Sequence, residues 1–280
     1  MTIPYYDAAA IERLLPPRRA IEAIEDALRA GLDPAAGVSR TSMALPAGEL
    51  LLMPAASATH AGVKVVTVAD RGSPRVNAVY VLFDGGTLRP AALFDGAALT
   101  TLRTPAVSIA AVRPFLKPRL DAVVFGAGPQ GLGHRAALEA VAELGTVDIA
   151  RRGTGVPASI ATADVIVCAT TAREPLFDSA RVKDDAVVIA IGSHEPDARE
   201  VDGALCHRAT VIVEDVATAL RECGDVIMAG LRADELVTMS RPRKNKDGPV
   251  LFKGSGMAWQ DLVVAQAVLR ADEGAHPVGA

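Results

Sequence analysis

The sequence predicts an α/β protein of two domains, one a parallel sheet wound with helices and the other an α+β unit. Three observations carry this. Buried strand-like runs alternate with helical stretches through the second half of the chain, and a glycine-rich turn joins the first such strand to the first such helix. Short β-rich runs separated by Gly, Pro and Asp fill residues 38–93. Half of the 280 residues are hydrophobic while only 4 % are aromatic, so the core is built from Ala, Val, Leu and Ile, the usage of buried parallel strands.

The elements follow in order. Residues 11–28 carry apolar side chains at helical spacing (Ile11, Leu14, Leu15, Ala20, Ile21, Ile24, Leu28), broken by Pro16-Pro17, which predicts one short helix and then a second that Gly31 stops. Leu50–Met53, Val63–Val68 and Val76–Phe83 read as strands of an antiparallel sheet or small barrel. Residues 96–115 are expected to be helical, with Thr100 or Thr101 near the start and Pro114 at the end. The second domain begins after that helix. Its strands are expected at 121–125, 147–150, 165–169, 186–191 and 210–213, and a last helix, 258–270, returns to the first domain. The domains are thus 1–117 with 257–280, and 118–256.

Composition excludes several classes of function. With 29 Lys plus Arg against 33 Asp plus Glu the net charge is −4, so no global basic field is available to hold nucleic acid. Cys168, Cys206 and Cys223 are odd in number and widely spaced, which fits reduced, buried thiols in a cytoplasmic protein. No apolar run reaches the ~20 residues that span a bilayer, and the first residues lack a basic-then-apolar leader. The five histidines have no metal-ligand spacing, so no metal is expected. The basic run 240–247 reads first as a solvated loop and second as a phosphate cover.

The sharpest motif is Gly126-Ala-Gly-Pro-Gln-Gly131, directly after the strand 121–125 and opening a helix expected over 132–144. Strand, complete G-x-G-x-x-G and helix in this order point to a Rossmann-type dinucleotide site. Gly126 permits the tight turn, Gly128 admits the pyrophosphate, and Gly131 lets helix and strand pack, with Pro129 and Gln130 between them and free N–H groups at the helix start. The next strand runs into Arg151-Arg152 where an NAD site usually presents Asp or Glu, which favours NADP(H), with NAD(H) as the alternative. Asp148 has the right sequence distance but lies between Val147 and Ile149, inside the strand. Residues 151–164 are too few for a full helix and strand, so this Rossmann sheet is expected to be abbreviated. Lys64 sits within an apolar strand, and a charge buried there needs a reason.

These residues, with other motifs in order, resemble the ornithine cyclodeaminase/mu-crystallin family over nearly the whole chain. The motifs are 50–54 (LLLMP), 62–67 (GVKVVT), 81–84 (VLFD), 97–104 (AALTTLRT), 124–130 (VFGAGPQ), 189–193 (IAIGS) and 251–256 (LFKGSG). The resemblance implies an N-terminal substrate and dimerisation domain completed by the C-terminal helix, a homodimer, a nicotinamide cofactor, and small amino or imino acids as substrates. It implies that Arg40 and Arg103 bind the substrate carboxylate and that Lys64 is catalytic, exchanging a proton with the substrate nitrogen while neighbouring cations lower its pKa. Arg75 is a further candidate for the pocket, standing where the family carries threonine. For the cofactor it implies Thr104, Gly126, Gly128, Pro129, Gln130, Gly131, Arg151, Arg152, Ala169, Thr170, Ile191, Gly192, Ser193 and Gly256.

One departure is chemical. Where the cyclodeaminases carry an aspartate, this chain has Ser193-His194. His194 becomes a candidate proton donor, and the expectation moves to a reductase acting on cyclic ketimines such as pyrroline-2-carboxylate or piperideine-2-carboxylate, with hydride passing to the imine carbon. An ornithine cyclodeaminase-type lyase is the alternative, and a non-catalytic NADPH-dependent binding protein is the third.

Overall fold

The computed structural model describes residues 3–72, 74–193 and 195–275. The chain divides into two compact units, 1–104 with 257–280, and 105–256. The chain passes from one to the other within a helix, earlier than the 117/118 boundary read from sequence.

In the first unit β1 (Tyr5–Tyr6) leads to α1 (Ala8–Leu14) and α2 (Pro17–Arg29), whose buried Ala20, Ile21 and Ile24 form one helical stripe. Then come β2 (Thr41–Leu45), β3 (Gly48–Ala56), β4 (His60–Ala69), β5 (Val76–Asp84) and β6 (Pro90–Asp95). They form one six-stranded sheet in the order β1-β6-β5-β4-β3-β2. The expected antiparallel pairing holds for β2 to β6, but β1 adds to β6 in parallel, so the sheet is mixed.

Helix α3 (Gly96–Val112) starts at the residue expected, capped by Asp95, whose Oδ1 accepts from the N–H groups of Ala97 and Ala98 at 2.9 Å, and gives way to a 3-10 turn, Arg113–Phe115, over its last expected residues. Thr100 and Thr101 are helix-interior residues whose hydroxyls donate to carbonyls four residues back.

The second unit holds β7 (Arg119–Phe125), α4 (Pro129–Glu139), β8 (Glu143–Ala150), β9 (Val165–Cys168), β10 (Val187–Ala190), α5 (Gly203–Arg208), β11 (Thr210–Val213), α6 (Val216–Glu222), α7 (Gly224–Ile227), β12 (Leu236–Thr238) and β13 (Val250–Lys253). Its seven strands are all parallel, in the order β12-β11-β13-β10-β9-β7-β8. The core packs Val123, Ile166, Val188 and Val211 from four of these strands against Leu205 and Val226, and Cys168, Cys206 and Cys223 are buried in it. Helix α4 begins at Pro129, three residues before the expected start, since proline at N1 has its backbone pre-set for a helix. It also ends sooner, and Leu144 belongs to β8. Residues 151–164 hold only a 3-10 turn, Ala158–Ala161, so the crossover from β8 to β9 is abbreviated.

Helix α8 (Ala258–Ala275) returns to the first unit and packs on α2, β3 and β4. No helix among the described residues is long and apolar enough to cross a membrane. The basic run 240–247 is a loop tied to its own unit, with Lys246 Nζ donating to the His207 carbonyl and Lys244 Nζ to that of Gly248.

Candidate functional site

The first unit gathers charges under its sheet. β4 alternates, so Lys64 shares the inward face with Val66 while Val65 points the other way. Only 2 % of Lys64 is exposed, and its Nζ donates to Asp261 Oδ2 at 2.9 Å and to Thr100 Oγ1 at 3.2 Å. Asp261 is fully buried on α8; its other oxygen lies 3.7 Å from Arg103 Nε. Arg103, on α3, is buried too and donates through Nη1 to Gln260.

Burial pushes the Lys64 ammonium down to about 8; Asp261 opposes the shift, and Arg103 and Arg40 add to it. The neighbouring cations expected from sequence are present, but loss of solvent is the larger cause. Half-buried Arg40 is close enough to act on Lys64 electrostatically. Tyr80, opposite Lys64 on β5, is fully buried; burial and then Asp261 raise its pKa, keeping the phenol protonated.

Sequence reasoning misassigned Arg75 and missed Asp261, Gln260 and Tyr80. Arg75 is exposed and its Nε donates to the Ala69 carbonyl at 3.0 Å, closing the β4–β5 hairpin instead of joining the buried cluster. The missed signal for Asp261 was a polar pair, Gln260-Asp261, inside an otherwise apolar helical run.

Lys64 and Arg103 bring two cations to the one carboxylate of Asp261. A buried cluster with that imbalance suits an anionic ligand, and a planar guanidinium suits a carboxylate. An ammonium that titrates near 8 can both give and take a proton at neutral pH.

The second unit carries the glycine turn. Gly126 has φ +111°, and a Cβ there would meet the Ala169 carbonyl at 2.4 Å; a Cβ on Gly131 would meet the Gly126 carbonyl at 1.9 Å. The turn is therefore closed on its protein side. At Gly128 nothing lies within 4 Å of a Cβ position, so the backbone is open to an approaching ligand. Gly128 caps α4, whose first amides face outward for an anion, with Pro129 and Gln130 in its first turn.

A cavity of about 640 Å³ adjoins this turn, lined by Gly126, Gly128, Arg151, Arg152, Ala169 and Thr170 among others. It lies at the carboxyl ends of β7, β8 and β9, where open parallel sheets bind ligands. Both arginines are exposed at the end of β8, whereas Asp148 is occupied, its Oδ2 accepting from Ser159 Oγ at 2.5 Å. Ile191, Gly192 and Ser193 follow β10; Gly256 follows β13, its N–H held with that of Ser255 by the buried Glu214 carboxylate. Thr104 is half-buried on α3. His194 lies outside the described residues. The pieces fit a nicotinamide dinucleotide: an open glycine, a helix start and an arginine pair.

Together the fold and sites define a two-unit protein with a Rossmann-type dinucleotide cradle in one unit and a buried lysine–arginine–aspartate cluster in the other. The model of the ornithine cyclodeaminase/mu-crystallin family matches residues 7–156 and 154–274, and the chain belongs to that family. It is 32 % identical over 251 residues to the ketimine reductase mu-crystallin of Mus musculus, covering 79 % of this chain and 80 % of that protein. Against the Delta(1)-pyrroline-2-carboxylate/Delta(1)-piperideine-2-carboxylate reductase of Azospirillum brasilense the identity is 27 % with 94 % of each chain covered. The crystal structure of a probable ornithine cyclodeaminase from Bordetella pertussis Tohama I superposes with a TM-score of 0.87 at 26 % identity, over the whole of both chains.

Proposed function

We propose that the protein is an NAD(P)H-dependent reductase of small imino acids, reversibly a dehydrogenase of the amino acids, with pyrroline-2-carboxylate and piperideine-2-carboxylate as the ketimines it reduces. The observation that carries this is Lys64, buried beside Arg103 and Asp261, with its pKa brought down to about 8. The family membership and the relatives named as ketimine and pyrroline-carboxylate reductases support it.

Arg103, aided by Arg40, holds the substrate carboxylate. Lys64 gives its proton to the imine nitrogen as the C=N bond becomes C–N, and recovers it from the amine in the reverse direction. Asp261 keeps the ammonium in place and charged. A reduced nicotinamide in the cradle supplies the hydride for the imine carbon. The preferred cofactor is NADP(H), because Arg151 and Arg152 line the cavity while Asp148 is spent on Ser159.

The unit built from 1–104 and 257–280 serves substrate binding and assembly, and we assign the outer face of its sheet to a homodimer contact. Met43, Leu45, Leu52 and Val79 share that face by register and remain exposed, which fits a second copy related by two-fold symmetry.

The test is the loss of NADPH and NADH absorbance with each ketimine, alongside ammonia release from ornithine. Cofactor oxidation that needs Lys64 supports the reductase. Ammonia without net cofactor change would replace it with the cyclodeaminase reading, and cofactor binding without turnover would leave a binding protein.

A further inference from the structure

The ends of β9, β10 and β13 lie side by side, with Ala190 in register with both Cys168 and Lys253. Beyond those ends the chain must hold residues 169–170 and 191–193 at a fixed spacing, and three buried charges meet there. Glu200, fully buried, spreads its carboxylate between the two segments. Oε1 accepts from the Thr170 N–H and Oγ1, both at 2.8 Å, and Oε2 accepts from the Gly192 N–H at 2.7 Å. Gly192 has no space for a side chain, since a Cβ there would lie 2.0 Å from the Thr170 carbonyl and 2.5 Å from Glu200 Oε1.

Lys253, 1 % exposed, donates to the Ser193 carbonyl at 2.6 Å and pairs with Asp225 at 3.1 Å. Asp225 in turn accepts from the N–H groups of Glu200 and Val201 at 2.7 and 3.0 Å. Burying two carboxylates with one ammonium opposes folding unless each is closely satisfied, so the arrangement calls for a purpose beyond packing. Neither Glu200 nor Lys253 lines the cavity, whereas Thr170 does.

We propose that Glu200 and Lys253 are positioning residues that hold the Thr170 and Gly192–Ser193 segments in the spacing the dinucleotide requires. This rests on the dinucleotide reading of the same unit. A carboxylate accepting three donors from two loops leaves neither loop free to drift, so the cost of ordering them is met before the cofactor arrives.

The experiment titrates the full-length protein with NADPH and NADH by fluorescence, as wild type and as Glu200→Gln, and follows amide hydrogen exchange in the absence of cofactor. Glutamine keeps the reach but loses one acceptor. The variant is expected to bind the preferred cofactor about ten-fold more weakly. Exchange rises at 169–172 and 191–193, while the KM for the imino acid at saturating cofactor stays at the wild-type value. Should Glu200→Gln fail to fold, Glu200→Asp keeps the charge but shortens the reach to the two segments, and is read in the same two ways. A wild type that binds neither cofactor overturns the dinucleotide reading itself. A wild type that binds, with a folded variant matching it in affinity and exchange, overturns the positioning role alone.

Discussion

Lys64 on β4 and Asp261 on α8 lie 197 positions apart in the sequence and 2.9 Å apart in the fold, joined by a buried, hydrogen-bonded ion pair. The pair sets the pH range of the proposed reaction. Burial pulls the Lys64 pKa down and Asp261 pulls it back up, to about 8. Reduction needs the ammonium form as proton donor, so kcat should fall as pH rises through that value. In Asp261→Asn the opposing charge is gone and the alkaline limb should move to lower pH, with kcat at pH 8 lower by about ten-fold. A pH–rate profile checks this; an unmoved limb would separate Lys64 from the proton transfer.

Arg103 should carry the recognition of the carboxylate. Its buried guanidinium presents a rigid fork that lysine lacks, so Arg103→Lys is expected to raise the KM for an imino acid by roughly 10- to 100-fold with a smaller change in kcat. Comparison with the cyclic imine lacking the carboxylate is the control. The wild type should strongly prefer the acid, and the variant should lose most of that preference.

Both motifs at the heart of this reading were visible in the sequence because they are local. The strand, glycine turn and helix start of 121–131 are contiguous, and Lys64 stands out inside an apolar strand. Asp261 is the same kind of anomaly on α8, and Lys253 on β13, yet neither was recognised; only the long-range contacts give them partners. Arg75 failed in the opposite way, since a basic residue beside a hairpin can serve a pocket or close a turn, and the turn won. The start of α3 was legible at residue 96, but its cap was not: Asp95 serves it, and the threonines that follow lie inside the helix.

Cofactor choice should depend on Arg151. With Asp148 engaged by Ser159, the exposed guanidinium of Arg151, beside that of Arg152, is available to a 2′-phosphate. Arg151→Ser is expected to weaken NADPH about ten-fold and to leave NADH within about two-fold, since one charge-assisted contact is lost from the first and none from the second. Equal weakening of both in a binding titration would count against the NADP preference.

Assembly can be tested on the outer face of the six-stranded sheet. Light scattering should give twice the mass of the chain for the wild type. Leu52 is 38 % exposed and lies across from Val65 and Val79 in register, near the middle of the apolar face. Leu52→Asp would bury a carboxylate in the contact, so the variant should be monomeric at micromolar concentration while retaining its secondary structure. A wild type that is already monomeric would end the homodimer proposal.

His134 on α4 should make the second unit sensitive to acid. Its Nδ1 contacts the Gln130 carbonyl at 2.7 Å and its Nε2 the Ser108 hydroxyl at 2.9 Å. A carbonyl only accepts, so Nδ1 carries the proton and Nε2 takes the hydroxyl hydrogen. Burial pushes the pKa down to about 4, and the Gln130 carbonyl opposes the shift only in part. In the unfolded chain the imidazole titrates near 6.5. Between these values the unfolded state binds a proton that the folded state refuses, so stability is full above about 6.5 and falls as pH drops toward 4, by about 3 kcal/mol in all. Urea unfolding from pH 7 to pH 4 should show this slope. In His134→Gln, which cannot take up the proton, the slope over that window should flatten, and a profile matching the wild type would assign the acid sensitivity to other groups.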